Sequence, residues 1–251
     1  MHPLIHYILF WFKSQNNLYV HSPFVFSFYN EVLKREKSSA KIAKLKEYYI
    51  TNKEIVKKFD LGAGTSLKTS SVCEIFRRIS IPTKYGRVLS NITEKFGAKY
   101  VIELGTSLGM GTAYLCEGGA KTVISLEGNP YILEIAQSQL NPLFPQATFL
   151  QGDFKETLPI ALGKMPQVDL IYFDGNHRKI PTLEYFEMSL PFIHNQSIFI
   201  FDDIYWSREM TEAWEIIKSS QKVTLTIDLY RMGIVFFDPA IREKQDFWLR
   251  F

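Results

Sequence analysis

Glu103-Leu104-Gly105-Thr106-Ser107-Leu108-Gly109-Met110-Gly111-Thr112 follows the apolar run Tyr100-Val101-Ile102, and its reading decides the fold. A short apolar run that stops at a glycine-rich turn reads as a buried strand feeding a helix. Glycine permits the tight turn and lets backbone N–H groups come close to a ligand at the helix N-terminus. The spacing here is GxxxGxG. Dinucleotide-dependent oxidoreductases carry GxGxxG instead, which argues against that class.

Downstream of this turn, short apolar runs alternate with helical patterns. The runs Thr122–Leu126, Thr148–Leu150, Val168–Phe173 and Ser197–Phe201 read as further strands, with helices such as Pro130–Leu140 and Thr182–Leu190 between them. Strands apolar on both faces and separated by helices form βαβ units in a parallel sheet. The end of the chain departs from that rule. Val223–Leu229 and Gly233–Phe237 are separated by only Tyr230-Arg231-Met232, too short for a crossover helix, so these two strands must be antiparallel. The expected fold is therefore α/β and Rossmann-like: a mostly parallel, seven-stranded sheet with an antiparallel last strand.

Polar residues recur at the carboxyl end of each parallel strand, where open α/β sheets bind ligands. Glu127-Gly128 ends the second strand, Gln151-Gly152-Asp153-Phe154 follows the third, Asp174-Gly175-Asn176-His177 the fourth, and Asp202-Asp203 the fifth. With these elements in this order, the chain from about Lys84 to Phe237 resembles the class I methyltransferases that use S-adenosylmethionine (SAM). The resemblance implies that Glu103, Gly105 and Gly109 surround the methionine part of SAM, with Thr106 and Ser107 of the same loop also binding the cofactor. It implies too that Glu127 and Gly128 meet the ribose, Asp153 and Phe154 the adenine, and that Asp174 lies beside the cofactor.

Within that superfamily the chain looks most like the small-molecule O-methyltransferases of the catechol and caffeoyl-CoA type, and His21-Ser22-Pro23-Phe24 with Asp202–Ser207 resembles an uncharacterised bacterial branch. In the catechol and caffeoyl-CoA type, an acid after the fourth strand and an Asp-Asn pair after the fifth bind a divalent cation. The matching positions are Asp174, Asp202 and Asp203, with Asp203 standing where the pattern has Asn. Three carboxylates suit Mg²⁺ or another hard divalent cation. Their crowding can equally be relieved by a bound proton or an Arg or Lys partner. Asp174 and His177 are the candidate acid–base residues by location. The implied reaction is methyl transfer to a small-molecule acceptor at oxygen. An RNA or protein methyltransferase and a non-catalytic SAM-binding module are the alternatives.

The remaining sequence sets the context. With 251 residues, 46% hydrophobic, the chain is large enough for a substantial core, and a net charge of +3 gives no argument for a nucleic-acid partner. Residues 1–80 read as a helical cap region on a SAM-binding domain of residues 81–251. In the cap region, Lys34–Tyr49 has the periodicity of an amphipathic helix. Leu4–Phe12 is strongly apolar but too short to span a bilayer, and it reads as a buried or interface helix. Asp60-Leu61-Gly62-Ala63-Gly64-Thr65 mimics the cofactor loop, yet lacks a preceding apolar strand and a following acid-ended one; it reads as a glycine turn. Two cysteines, Cys73 and Cys116, show no metal or disulfide spacing and suit the cytoplasm. Nothing in the sequence decides whether the protein is a homo-oligomer.

Overall fold

The computed structural model describes residues 3–14, 22–58 and 68–251. His21 and the glycine turn Asp60–Thr65 lie outside them. Helices α1 (Pro3–Lys13) and α2 (Pro23–Phe28) come first, followed by α3 (Ala40–Thr51) and an antiparallel pair, β1 (Ile55–Lys58) and β2 (Lys68–Ser71). Helices α4 (Val72–Ile79) and α5 (Thr83–Lys95) lead into the alternating region of β3 (Tyr100–Leu104), α6 (Met110–Glu117), β4 (Thr122–Glu127), α7 (Pro130–Leu140), β5 (Ala147–Gln151) and α8 (Phe154–Lys164). Then come β6 (Leu170–Phe173), α9 (Lys179–Ser189), β7 (Ile198–Phe201), α10 (Arg208–Ser219), β8 (Leu225–Asp228), β9 (Gly233–Phe236) and β10 (Gln245–Trp248).

The chain forms two compact units, one of residues 36–164 and the other of residues 1–35 with 165–251. In the first, β4 pairs in parallel with β3 on one side and β5 on the other. Val101, Ile102 and Leu104 of β3 are buried, as are Val123, Ile124 and Leu126 of β4, as expected of strands covered on both faces. Leu45, Tyr49, Val72 and Ile75 are also buried in this unit, so residues before position 80 supply part of its core. Helix α3 starts later than the periodicity of Lys34–Tyr49 suggests. Ser39 is extended and its hydroxyl accepts from Ile42 N–H at 3.2 Å, an N-cap that sets the start.

In the second unit β6 and β7 are parallel, and β9 is antiparallel to both β7 and β8. The antiparallel closing pair is as the three-residue gap requires. This unit has one strand beyond those expected, β10, which adds a parallel edge to β8. Helix α9 starts three residues before the expected Thr182, with Pro181 in its first turn, where no backbone N–H is needed. Helix α1 is not buried: Phe10 is tucked in, but Trp11 and Phe12 are 50% and 76% exposed. Among the described residues no helix is long and apolar enough to cross a membrane.

Candidate functional site

In the unit of residues 36–164, the loops after β3, β4 and β5 are tied together by their own backbones. Gly105 N–H and Thr106 N–H both donate to Leu126 O, at 2.9 and 3.0 Å. Gly152 N–H donates to Glu127 O at 3.0 Å, and a side chain adds a tie, Gln151 Nε2 donating to Gly128 O at 3.3 Å. The chain turns into α6 through left-handed residues, Ser107 at φ +48° and Gly109 at φ +76°. Gly109 is required twice over. Its φ is costly for an L-residue, and an added Cβ would lie 2.1 Å from Leu140 Cδ1 of α7, a buried side chain. Gly109→Ala is expected to destabilise the protein by about 2–3 kcal/mol, from backbone strain plus overpacking. Urea unfolding at wild-type midpoint would refute it.

The carboxylate of Glu127 is held by two backbone donors. Ser107 N–H reaches Oε2 at 2.8 Å and Asn129 N–H reaches Oε1 at 2.9 Å. The glycine loop after β3 and the turn after β4 therefore meet on one acid. Asn129 in turn caps α7, its Oδ1 accepting from Tyr131 N–H at 3.0 Å and Ile132 N–H at 3.3 Å. Asp153 caps α8, its Oδ1 accepting from Lys155 N–H at 2.8 Å. Asp153 is exposed and Phe154 half-buried.

Glu103 is buried, its Oε2 accepting from the Ser125 hydroxyl at 2.6 Å and from the Thr112 hydroxyl. Its Oε1 is buried and, among the described residues, has no hydrogen-bond partner. Burial outweighs these hydrogen bonds, and with the nearby charge of Glu127 pushes the Glu103 carboxyl up to about 7. Thr106 completes the network through a 2.5 Å contact with the Ser125 hydroxyl.

The acids after β6 and β7 lie in the other unit. His177 Nε2 stands 3.8 Å from Asp174 Oδ1 and 3.9 Å from Asp203 Oδ2, with all three side chains about a quarter exposed. Asp202 is fully buried, and its carboxylate is held by Arg231 through Nε, at 3.0 Å from Oδ1 and 3.2 Å from Oδ2, and Nη2 at 2.9 Å from Oδ2. Arg231 Nη2 also lies 3.5 Å from Asp203 Oδ1. Burial works against the guanidinium charge, but Asp202 and Asp203 overcome it and hold the group above its ordinary range. Asp203 is pushed up by burial and by Asp202, against the pull of Arg231 and His177.

Of the three acids expected to hold a divalent cation, Asp174, Asp202 and Asp203, Asp202 is the one held by Arg231. Asp202 turns its carboxylate to an arginine, and among the described residues no three His, Cys, Asp or Glu side chains are grouped to hold a metal ion. The positive partner beside Asp202 and Asp203 is Arg231. Sequence reading also missed Ser125, Thr112 and Asn129. Asn129-Pro130 before an apolar run is a helix-start signal that identifies Asn129.

Residues 102–204 match the family model described as a methyltransferase domain. The solved structure of an O-methyltransferase from Bacillus cereus in complex with S-adenosylhomocysteine (SAH) is similar with a TM-score of 0.60 at 16% identity, covering 80% of this chain and 92% of that one. An O-methyltransferase from Streptomyces achromogenes involved in tomaymycin synthesis, solved with SAM, gives 0.60 at 15% identity over 80% and 91%. A SAH-bound methyltransferase from Podospora anserina gives 0.62 at 11% identity over 87% and 97%. A search of curated proteins finds no match. Residues 102–204 thus match a methyltransferase domain, and the chain has the fold of methyltransferases solved with SAM or SAH.

Proposed function

We propose that this protein transfers the methyl group of SAM to an oxygen of a small-molecule acceptor. The observation that carries the reading is the Glu127 carboxylate, fixed at the end of β4 by Ser107 and Asn129 N–H groups. A carboxylate has about four acceptor positions, so two backbone bonds can set its plane while ribose hydroxyls bind the same group. The left-handed turn at Ser107 and Gly109 aims backbone donors from the N-terminus of α6, which suits the methionine carboxylate. The buried Oε1 of Glu103, without a partner among the described residues, offers an acceptor for the methionine ammonium. Asp153 and Phe154 are assigned to the adenine.

SAM brings the reactive methyl, so the chain has to align the acceptor and take its proton. His177 is the base in this reading, with Asp174 and Asp203 within 3.9 Å to offset the charge it gains. His177→Gln should lower kcat about 100-fold and leave SAH affinity unchanged, since a positioned base contributes at least that much. Wild-type kcat in that variant would remove His177 from the mechanism. The O-methyltransferase neighbours support oxygen and a small acceptor, and so does the weak net charge of +3. The deciding experiment is a screen with methyl-labelled SAM against phenols, carboxylic acids, RNA and protein. Label in small molecules supports the reading; label only in RNA or protein overturns it. SAM binding with no transfer to any acceptor would mark a binding module.

A further inference from the structure

We infer that Arg231 is the built-in cation of the acidic cluster, so that methyl transfer by this protein proceeds without a divalent metal. The inference deepens the methyl-transfer reading proposed above and rests on it. Three acids, Asp174, Asp202 and Asp203, follow the ends of β6 and β7, and charge so concentrated needs a positive partner. A divalent cation would need oxygen ligands at roughly 2.0–2.6 Å, several of them from these carboxylates. Asp202 is the fully buried member, and both its oxygens already face the guanidinium at 2.9–3.2 Å. A cation on those oxygens would stand against a fixed positive charge.

Arg231 does not reach the site by chance of a flexible side chain. It sits in the turn between β8 and β9, after Tyr230 at φ +69°. That turn is anchored on both sides: Tyr230 N–H donates to Asp228 Oδ1 at 2.8 Å, and Ile204 N–H, next to Asp203, donates to Arg231 O at 3.2 Å. The fork geometry then orients Asp202 through two donors, Nε and Nη2, and leaves Nη2 3.5 Å from Asp203. Asp203 itself is left-handed at φ +53°. Through Asp203, Arg231 fixes the partner of His177. It acts as a positioning residue that does from within the chain what a metal ion would do from solution.

The test uses the full chain. Mn²⁺ binding is followed by the electron paramagnetic resonance signal of the free ion, and thermal unfolding is compared in Mg²⁺ and in a chelator. The wild type should show no Mn²⁺ binding below millimolar concentration and one melting temperature in both buffers. Micromolar binding, or a melting temperature raised by Mg²⁺, would overturn the inference. This arm needs neither SAM nor an acceptor, so it stands apart from the methyl-transfer reading. With an acceptor from the screen, transfer should be undiminished in chelator; loss of transfer that Mg²⁺ restores would also overturn it. Arg231→Gln should lower kcat at least 100-fold with SAH affinity within twofold of wild type. It should also gain a melting-temperature response to Mn²⁺, because Asp202 is released. The double variant Asp202→Asn, Arg231→Gln removes both buried charges together and guards against misfolding. It should lose kcat without gaining the Mn²⁺ response. Wild-type kcat in either variant would refute a positioning role for Arg231.

Discussion

Glu127→Ala is expected to weaken SAM and SAH binding by about 150-fold or more. Each charge-assisted hydrogen bond to a ribose hydroxyl contributes about 1.5–3 kcal/mol, and two of them give at least about 3 kcal/mol. The loss has a second source in the protein itself. Ser107 and Asn129 N–H groups both end on this carboxylate, so the alanine variant frees the glycine loop and the start of α7 together. Glu127→Gln keeps the shape but offers one N–H-bearing terminus where an acceptor is needed, and it should fall between wild type and alanine. Calorimetry with SAH measures all three. An alanine variant with wild-type affinity would take Glu127 out of the cofactor site, and with it the main support for the assignment of the loops.

Glu103 makes the stability of the protein fall as pH rises. Its carboxyl ionises at about 7 in the folded chain against 4.5 for the ordinary side chain. The folded state therefore holds more protons than the unfolded state between those values, and stability decreases with pH across that window. The contribution is fully present below pH 4.5 and is lost by pH 7 and above, with a size of about 3 kcal/mol from the shift. Glu103→Gln carries no titrating group. The stability of wild type relative to this variant should drop by about 3 kcal/mol between pH 4.5 and pH 8. Taking the difference cancels other shifted acids, such as Asp228, which burial raises to about 6. Urea unfolding of both proteins across pH measures it, and a constant difference would mean that Glu103 is ionised in the fold.

The parallel strands were legible because each is apolar on both faces and stops at a polar or glycine residue. Tyr100–Leu104 is found at its expected bounds, and the closing pair follows from the three-residue gap alone. Strand β10 was not legible, since Gln245-Asp246-Phe247-Trp248 is a half-exposed edge with no apolar run. Residues Lys34–Ser38 carry helical spacing but stand before the Ser39 cap, and capping outranks periodicity there. In the site, single positions at strand ends could be named from pattern. The pairs that set their chemistry could not: Ser125 lies 22 residues from Glu103, and Arg231 lies 29 from Asp202. Arg231 was read only as one of three residues too few for a helix, and its charge had no partner until the chain was folded.

Residues 1–35 share a compact unit with residues 165–251, while residues 36–164 form a unit from one continuous stretch. On a ribosome that difference becomes a timetable. The continuous unit has all its strands and helices as soon as residue 164 has emerged, and domains fold as units during synthesis. Tyr7 and Phe10 of α1 pack their rings on Tyr230, at 5.1 and 5.4 Å between centroids, a residue made more than two hundred positions later. At about 5–20 residues per second, the first helix waits on the order of ten seconds or more for its packing partner. Through that interval Phe10, buried once the unit is complete, is in the open, the kind of transiently exposed apolar surface that chaperones shield.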